Sequence, residues 1–200
     1  ETLPLNDTLQ FATQMGMRLQ YITRQDYRRK TDPTFIKQLK IELGDFLLIP
    51  EGGSNELAVK GVEQFTKELD IPLDYICCPV GTGGTMAGII RGVGGNKKII
   101  GFSTLKDGSF LNKEVAALAV KSYANWEIRT EYHFGGYAKT TPSLEGFIER
   151  FTELHRIPLE FIYTGKMMWG IFDLAAKGFF KKGSTILAIH TGGIHRSQSH

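Results

Sequence analysis

The chain has 200 residues, 42% of them apolar and 22% charged, and a formal net charge of +3. A chain of this length buries roughly 70% of its unfolded surface, enough for a core, and its make-up is that of a globular protein. So small a charge gives no footprint for nucleic acid, no apolar run reaches the roughly 20 residues of a membrane span, and residues 1–7 lack the basic start and apolar stretch of a signal peptide.

In chain order, residues 7–15 (DTLQFATQM) carry a helical pattern, with Asp7 as its N-cap and Gly16 as its C-cap. Met17 to Ile22 is expected as a strand. The densest basic cluster, Arg24 with Arg28, Arg29 and Lys30, is broken by Asp26 and Tyr27 and reads as a solvated face. Phe46 to Ile49 is expected as a buried strand closed by Pro50. A helix from about 56 to 69 follows, capped by Ser54 or Asn55. Tyr75 to Val80 (YICCPV) is the next strand, then a glycine turn, then a helix over about 85–92. A strand is expected at 99–102, a helix at 111–123 and a strand at 126–129. Beyond an irregular Gly-rich stretch, 133–143, come helices near 144–155 and 166–179 and a strand at 185–189. The Ser/His-rich tail 195–200 is expected to fray.

This alternation predicts an α/β fold, a parallel twisted sheet flanked by helices. The opening helix has no strand before it to cross over from, so the chain is expected to begin inside a domain. The two cysteines, Cys77 and Cys78, are adjacent on a strand and point to opposite faces, which argues against a disulfide and for a reduced, cytoplasmic protein. No metal-ligand spacing is present, and His190 reads as a packed strand-end histidine.

The strongest chemical signal is Gly81-Thr82-Gly83-Gly84-Thr85, directly after YICCPV and directly before MAGIIRG. A strand–glycine–helix turn aims backbone N–H groups and the positive helix end at one point, which suits a phosphate. It is not a Walker A loop, since no Gly-Lys-Ser/Thr follows, and the third glycine of a dinucleotide fingerprint falls on Met86. A turn whose glycines only let helix and strand pack closely is the other reading of the same residues.

GTGGTMAG is similar to the phosphate turn of the fold type II pyridoxal-phosphate enzymes. Together with NDTLQFATQMGM (6–17), IPEGGSNELAVKG (49–61), YHFGGYAKTTP (132–142), YTGKMMWGIFD (163–173) and FFKKGSTILAIHTGG (179–193), in that order, the chain resembles the ACC deaminase and D-cysteine desulfhydrase family. The resemblance implies pyridoxal 5'-phosphate as cofactor, residues 1–44 as the end of a smaller α/β domain and 45–200 as most of the larger, cofactor-binding one. It places the phosphate on Gly81, Thr82, Gly83, Gly84 and Thr85, and two substrate-facing tyrosines on Tyr137 and Tyr163. Thr191 falls where the desulfhydrases set a hydroxyl against the pyridine nitrogen.

ACC deaminases resembling this chain carry a carboxylate directly after the second tyrosine, against that nitrogen; here Thr164 stands there. A neutral hydroxyl supports a weaker electron sink than a carboxylate. The expected reaction is therefore α,β-elimination on a small amino acid such as D-cysteine, with ACC deamination as the alternative. A non-catalytic domain binding some other phosphorylated ligand is the alternative of a different class. The family's Schiff-base lysine lies upstream of the matching stretches, and Lys166, at a helix start, is not expected to replace it. The chain by itself is accordingly expected to be inactive. Family members are commonly homodimers, which is the expected state.

Overall fold

A computed structural model gives the structure of residues 5–120 and 123–193. It divides into two compact units, Glu1–Leu48 and Ile49–His200.

The first unit holds three helices among its described residues, α1 (Asp7–Gln14), α2 (Arg24–Arg28) and α3 (Pro33–Leu43). Each begins where a side chain accepts a first-turn N–H: Asn6 from Leu9, Thr23 from Asp26, Asp32 from Thr34. The cap of α1 is thus Asn6 rather than Asp7. Phe35 is buried, with the Arg29 guanidinium 5.5 Å from its ring centroid. The strands expected at 17–22 and 46–49 are not formed, so the first helix has no strand to feed. An apolar pattern gives a strand a face but not a partner, and a strand exists only through its ladder. Tyr21 and Leu47 instead stand 64% and 79% exposed.

The second unit is built on a parallel sheet of β1 (Tyr75–Val80), β2 (Lys98–Ser103), β3 (Trp126–Arg129) and β4 (Ile186–Ala188), in the order β3-β2-β1-β4. Four of the expected strands are therefore present, with β4 a residue shorter at each end. Helices α4 (Glu56–Lys67), α5 (Gly84–Val93) and α6 (Leu111–Ala119) cover one face, and Val59, Met86, Ile90 and Val115 pack there with Cys78 and Val80. On the other face Met167, Ile171 and Leu174 of α8 (Thr164–Ala176) pack on Cys77, Ile100 and Phe102. The adjacent cysteines thus serve two separate cores, as the strand's alternation of side chains requires. Helix α7 (Pro142–His155) completes the set, started by the Thr141 hydroxyl, which accepts from Leu144.

Two details prepare the site. Helix α6 stops at Ala119, short of the expected 123, although no glycine ends it. The nearly buried Arg91 of α5 donates to the carbonyls of Leu118 (2.6 Å) and Ala119 (3.2 Å), closing the helix from a distance, and Val120 turns away at φ 65°. In β1, Pro79 sits in an inner strand, where a proline normally costs a ladder bond. The Cys77 carbonyl accepts from Ile189, so Pro79, two residues on, faces the same side, where β4 has already ended at Ala188. The early end of β4 spares the missing N–H and opens a gap at the carboxyl ends of the strands. The tail expected to fray, 195–200, lies outside the described residues. Among the described residues no helix is long and apolar enough to cross a membrane.

Candidate active site

A cavity of about 310 Å³ lies in that gap, lined by Gly52 to Ser54, Gly81 to Thr85, Tyr163 and Thr191 to Gly193. This is the end of an open parallel sheet at which ligands bind, and the volume falls within the roughly 300–1,000 Å³ usual for small-molecule sites.

The turn from β1 into α5 forms one wall. Gly83 is the N-cap of α5, at φ +89°, and brings no side chain to the helix start. In α4 and α7 the caps Asn55 and Thr141 accept a first-turn N–H; α5 begins without such a cap, which suits an anion. The glycines are needed for space. A Cβ on Gly84 would meet Ser54 Oγ at 2.6 Å, one on Gly81 would meet the Tyr163 ring at 3.0 Å, and one on Gly52 would meet Thr82 Oγ1 at 2.5 Å. The hydroxyls of Ser54 and Thr82 lie 2.5 Å apart, tying the turn before α4 to the turn before α5.

Tyr163 enters from the start of α8. The Glu160 carboxylate, itself buried, accepts N–H bonds from Ile162 (2.6 Å), Tyr163 (2.8 Å) and Thr164 (2.6 Å), so this helix start is satisfied from within. That is also why α8 begins at Thr164, earlier than the expected 166. The Tyr137 ring stands edge-on to the Tyr163 ring, centroids 6.0 Å apart. Thr191 follows β4, in a turn fixed by His190, whose Nε2 donates to the Pro158 carbonyl (2.8 Å) while Nδ1 accepts from Gly192 N–H (3.1 Å). His190 is exposed rather than packed.

Of the residues singled out from sequence, Gly81, Thr82, Gly83, Gly84, Thr85, Tyr163 and Thr191 line one cavity, and Tyr137 stands beside Tyr163. Thr164 does not join them. It is fully buried, and its hydroxyl donates to Glu160 Oε1 at 3.1 Å and accepts from Glu160 N–H at 3.2 Å. Sequence reasoning passed over Glu160, and it took Ser54 only as a candidate helix cap and the glycines before it only as part of a family stretch, not as lining the site. An acidic residue just ahead of a helix was the available signal for Glu160; Ser54 and Gly52 gain meaning only from a turn some thirty residues later. Among the described residues no group of His, Cys, Asp and Glu is arranged to hold a metal ion.

Residues 9–192 match the sequence profile of the family described as "Pyridoxal-phosphate dependent enzyme". The chain belongs to that family. A Pyrococcus horikoshii protein provisionally named a 1-aminocyclopropane-1-carboxylate deaminase is 32% identical over 79% of this chain and 52% of its own length. The Arabidopsis thaliana protein named a bifunctional D-cysteine desulfhydrase/1-aminocyclopropane-1-carboxylate deaminase is 27% identical over 90% of this chain and 50% of its own length. A crystal structure described as an ACC deaminase homologue superposes with a TM-score of 0.71 at 27% identity, covering 92% of this chain and 61% of that one. The fold is the α/β fold of that homologue, and the cofactor of the family is pyridoxal phosphate. The chain spans about half the length of the curated relatives it matches.

The cradle at 81–85 fits the phosphate of that cofactor. It offers the uncapped first turn of α5 and the hydroxyls of Thr82 and Thr85, with glycines where a Cβ would fill the approach.

Proposed function

We infer that this chain carries the phosphate cradle and the substrate-facing tyrosines of a lyase or deaminase acting on a small amino acid, most closely a D-cysteine α,β-elimination. The observation that carries it is the convergence of Gly81–Thr85, Tyr163 and Thr191 on one cavity, with Tyr137 beside Tyr163.

Pyridoxal phosphate, when bound, supplies the electron sink that makes the α-proton of an amino acid acidic. The chain's own residues bind and orient. The N–H groups at the start of α5, with the Thr82 and Thr85 hydroxyls, hold the phosphate. Tyr163 lines the cavity and Tyr137 stands beside it, ring centroids 6.0 Å apart, and in this reading each phenol holds or passes a proton at the substrate. Thr191 is the strand-end hydroxyl for the pyridine nitrogen; Thr164, also a candidate for that contact, is engaged by Glu160. A neutral partner at that nitrogen favours loss of a good leaving group such as thiolate over opening of a cyclopropane ring, which is the basis of the preference for D-cysteine, giving pyruvate, ammonia and sulfide. ACC deamination is the second reading, carried by the names of the relatives.

The chain by itself is proposed to be inactive, because no lysine lines the cavity among the described residues and Lys166, within YTGKMM, has its ammonium group bound to two backbone carbonyls. A homodimer in the cytoplasm is the proposed working state. Equilibrium dialysis tests the cofactor: pyridoxal phosphate is expected to bind the chain and nucleotides are not. Preference for a nucleotide would replace this reading with a binding domain of another kind. The substrate is tested in a chimaera in which residues 49–193 replace the matching segment of the Pyrococcus horikoshii relative, that relative serving as control. Sulfide and pyruvate from D-cysteine are expected to outpace 2-oxobutyrate from ACC, and the reverse order would sink the preference.

A further inference from the structure

Among the described residues of the second unit, Lys166 is the most thoroughly buried cation, at 0% exposure, and it does not line the cavity. Its Nζ donates to the carbonyl of His133 at 2.9 Å and to that of Gly136 at 2.8 Å. Those carbonyls belong to a turn that the backbone alone disfavours. Phe134 (φ 51°), Gly135 (φ 95°), Gly136 (φ 120°) and Ala138 (φ 53°) all take positive φ, and two of them carry a Cβ. Within this turn the carbonyls of His133 and Gly136 meet at one nitrogen, the buried Lys166 Nζ.

Tyr137 is the residue directly after Gly136. It is 52% exposed and has little packing of its own to hold it. Lys166 lies one turn into α8, three residues after Tyr163, and the Met167 N–H donates to the Tyr163 carbonyl at 3.1 Å. One side chain therefore joins the helix that presents Tyr163 to the turn that presents Tyr137. Burial lowers the Lys166 pKa, and the Glu160 carboxylate, which caps the same helix, opposes that shift.

We propose that Lys166 is a positioning residue: its buried ammonium group folds the 133–138 turn onto the start of α8 and so sets Tyr137 edge-on to Tyr163. It touches neither cofactor nor substrate. The consequence for catalysis rests on the functional reading above, in which the two tyrosines face the substrate; the structural consequence does not.

The test is hydrogen exchange on the full chain, comparing the wild type with Lys166→Met, Lys166→Gln and Lys166→Arg. The amides of Gly135, Gly136 and Lys139 are hydrogen bonded within the turn, to His133 Nδ1 and to the carbonyls of His133 and Gly136, and report its closure. In the Met and Gln variants they are expected to exchange at least about tenfold faster, since charge-assisted bonds are lost. Peptides from β1 and β2 are expected to keep their protection. Arginine keeps charge and donors and is expected to restore most of the turn's protection. The tyrosine near-ultraviolet circular dichroism of the Met variant is expected to resemble that of Tyr137→Phe.

Unchanged exchange in the turn overturns the proposal. So does loss of protection in β1 and β2 alongside the turn in both the Met and Gln variants, which would make Lys166 a prop of the whole fold. Dialysis of the wild-type chain against pyridoxal phosphate separates the two layers. Faster exchange in the variants with no cofactor binding by the wild type would keep the positioning role and remove the functional reading.

Discussion

The Ser54 hydroxyl meets the Thr82 hydroxyl at 2.5 Å, joining two turns that lie 28 residues apart in the chain. Both side chains stand at the mouth of the same cavity. A hydrogen bond between partly exposed neutral groups contributes about 1 kcal/mol or less to stability, so its purpose is to shape the cradle. Ser54→Ala and Thr82→Val are expected to leave the urea midpoint nearly unchanged. Affinity for pyridoxal phosphate is expected to drop about tenfold on loss of a hydroxyl that bonds the phosphate, measured by dialysis with inorganic phosphate as competitor.

Gly83→Ala should be costly in both fold and binding. The residue sits at φ +89°, and its new Cβ would meet Val115 Cγ2 at 2.8 Å inside the core. Left-handed strain and the clash together are expected to cost about 1–3 kcal/mol, read as a lower urea midpoint, with cofactor binding lost because α5 can no longer start where it does. A variant as stable as the wild type would show that the turn has room the structure denies it.

Glu160→Gln removes a carboxylate that accepts three backbone N–H bonds. The amide nitrogen that replaces one oxygen faces donors instead of accepting from them. A loss of about 1–3 kcal/mol is expected, with hydrogen exchange speeding at residues 162–164 before the sheet is affected.

Acid should destabilise the second unit through Glu56 and Asp173. The bidentate bond from Arg91 holds the Glu56 carboxyl below its ordinary value, and Lys177, then Tyr132, do the same for Asp173. A carboxylate with a lowered pKa stabilises the fold above its unfolded value, about 4, and that contribution disappears as pH falls through the folded value. Stability from these two groups is therefore expected to hold through neutral pH and fall below about pH 4. The double variant Glu56→Gln, Asp173→Asn is expected to show a shallower acid limb in urea melts; an unchanged limb would remove these pairs from the account.

Burial raises both thiols, Cys78 to about 12 and Cys77 further, by desolvation on opposite faces of β1. Neither is expected to react with a thiol reagent at pH 8 in the folded chain. Both should react at once in denaturant, and fast labelling of native protein would mean that β1 opens.

Much of the second unit was legible before its structure. YICCPV, with a run of five buried residues, a glycine turn and an apolar helix after it, specifies β1 and α5 locally. Of the site, the glycine turn was legible from its own neighbouring residues, and Tyr163 and Thr191 only through the family resemblance. What failed was everything decided by a partner. Met17 to Ile22 and Phe46 to Ile49 have strand-like patterns and no ladder to join. Helix α6 ends where Arg91 reaches it, and Thr164 turns inward because Glu160 receives its hydroxyl.

The sequence by itself therefore determined the glycine turn and the strands on either side of it, because these are written in neighbouring residues whose preferences act within a few ångströms, and it determined the family through six short stretches in a fixed order. Only the tertiary structure decided which hydroxyls face the cavity and how Tyr137 is held. Those depend on groups far apart in the chain: Ser54 with Thr82, and Lys166 with the carbonyls of His133 and Gly136. A buried charge must find its partners wherever the fold brings them, two hydroxyls pair only where the fold sets their turns side by side, and no local pattern records where that will be.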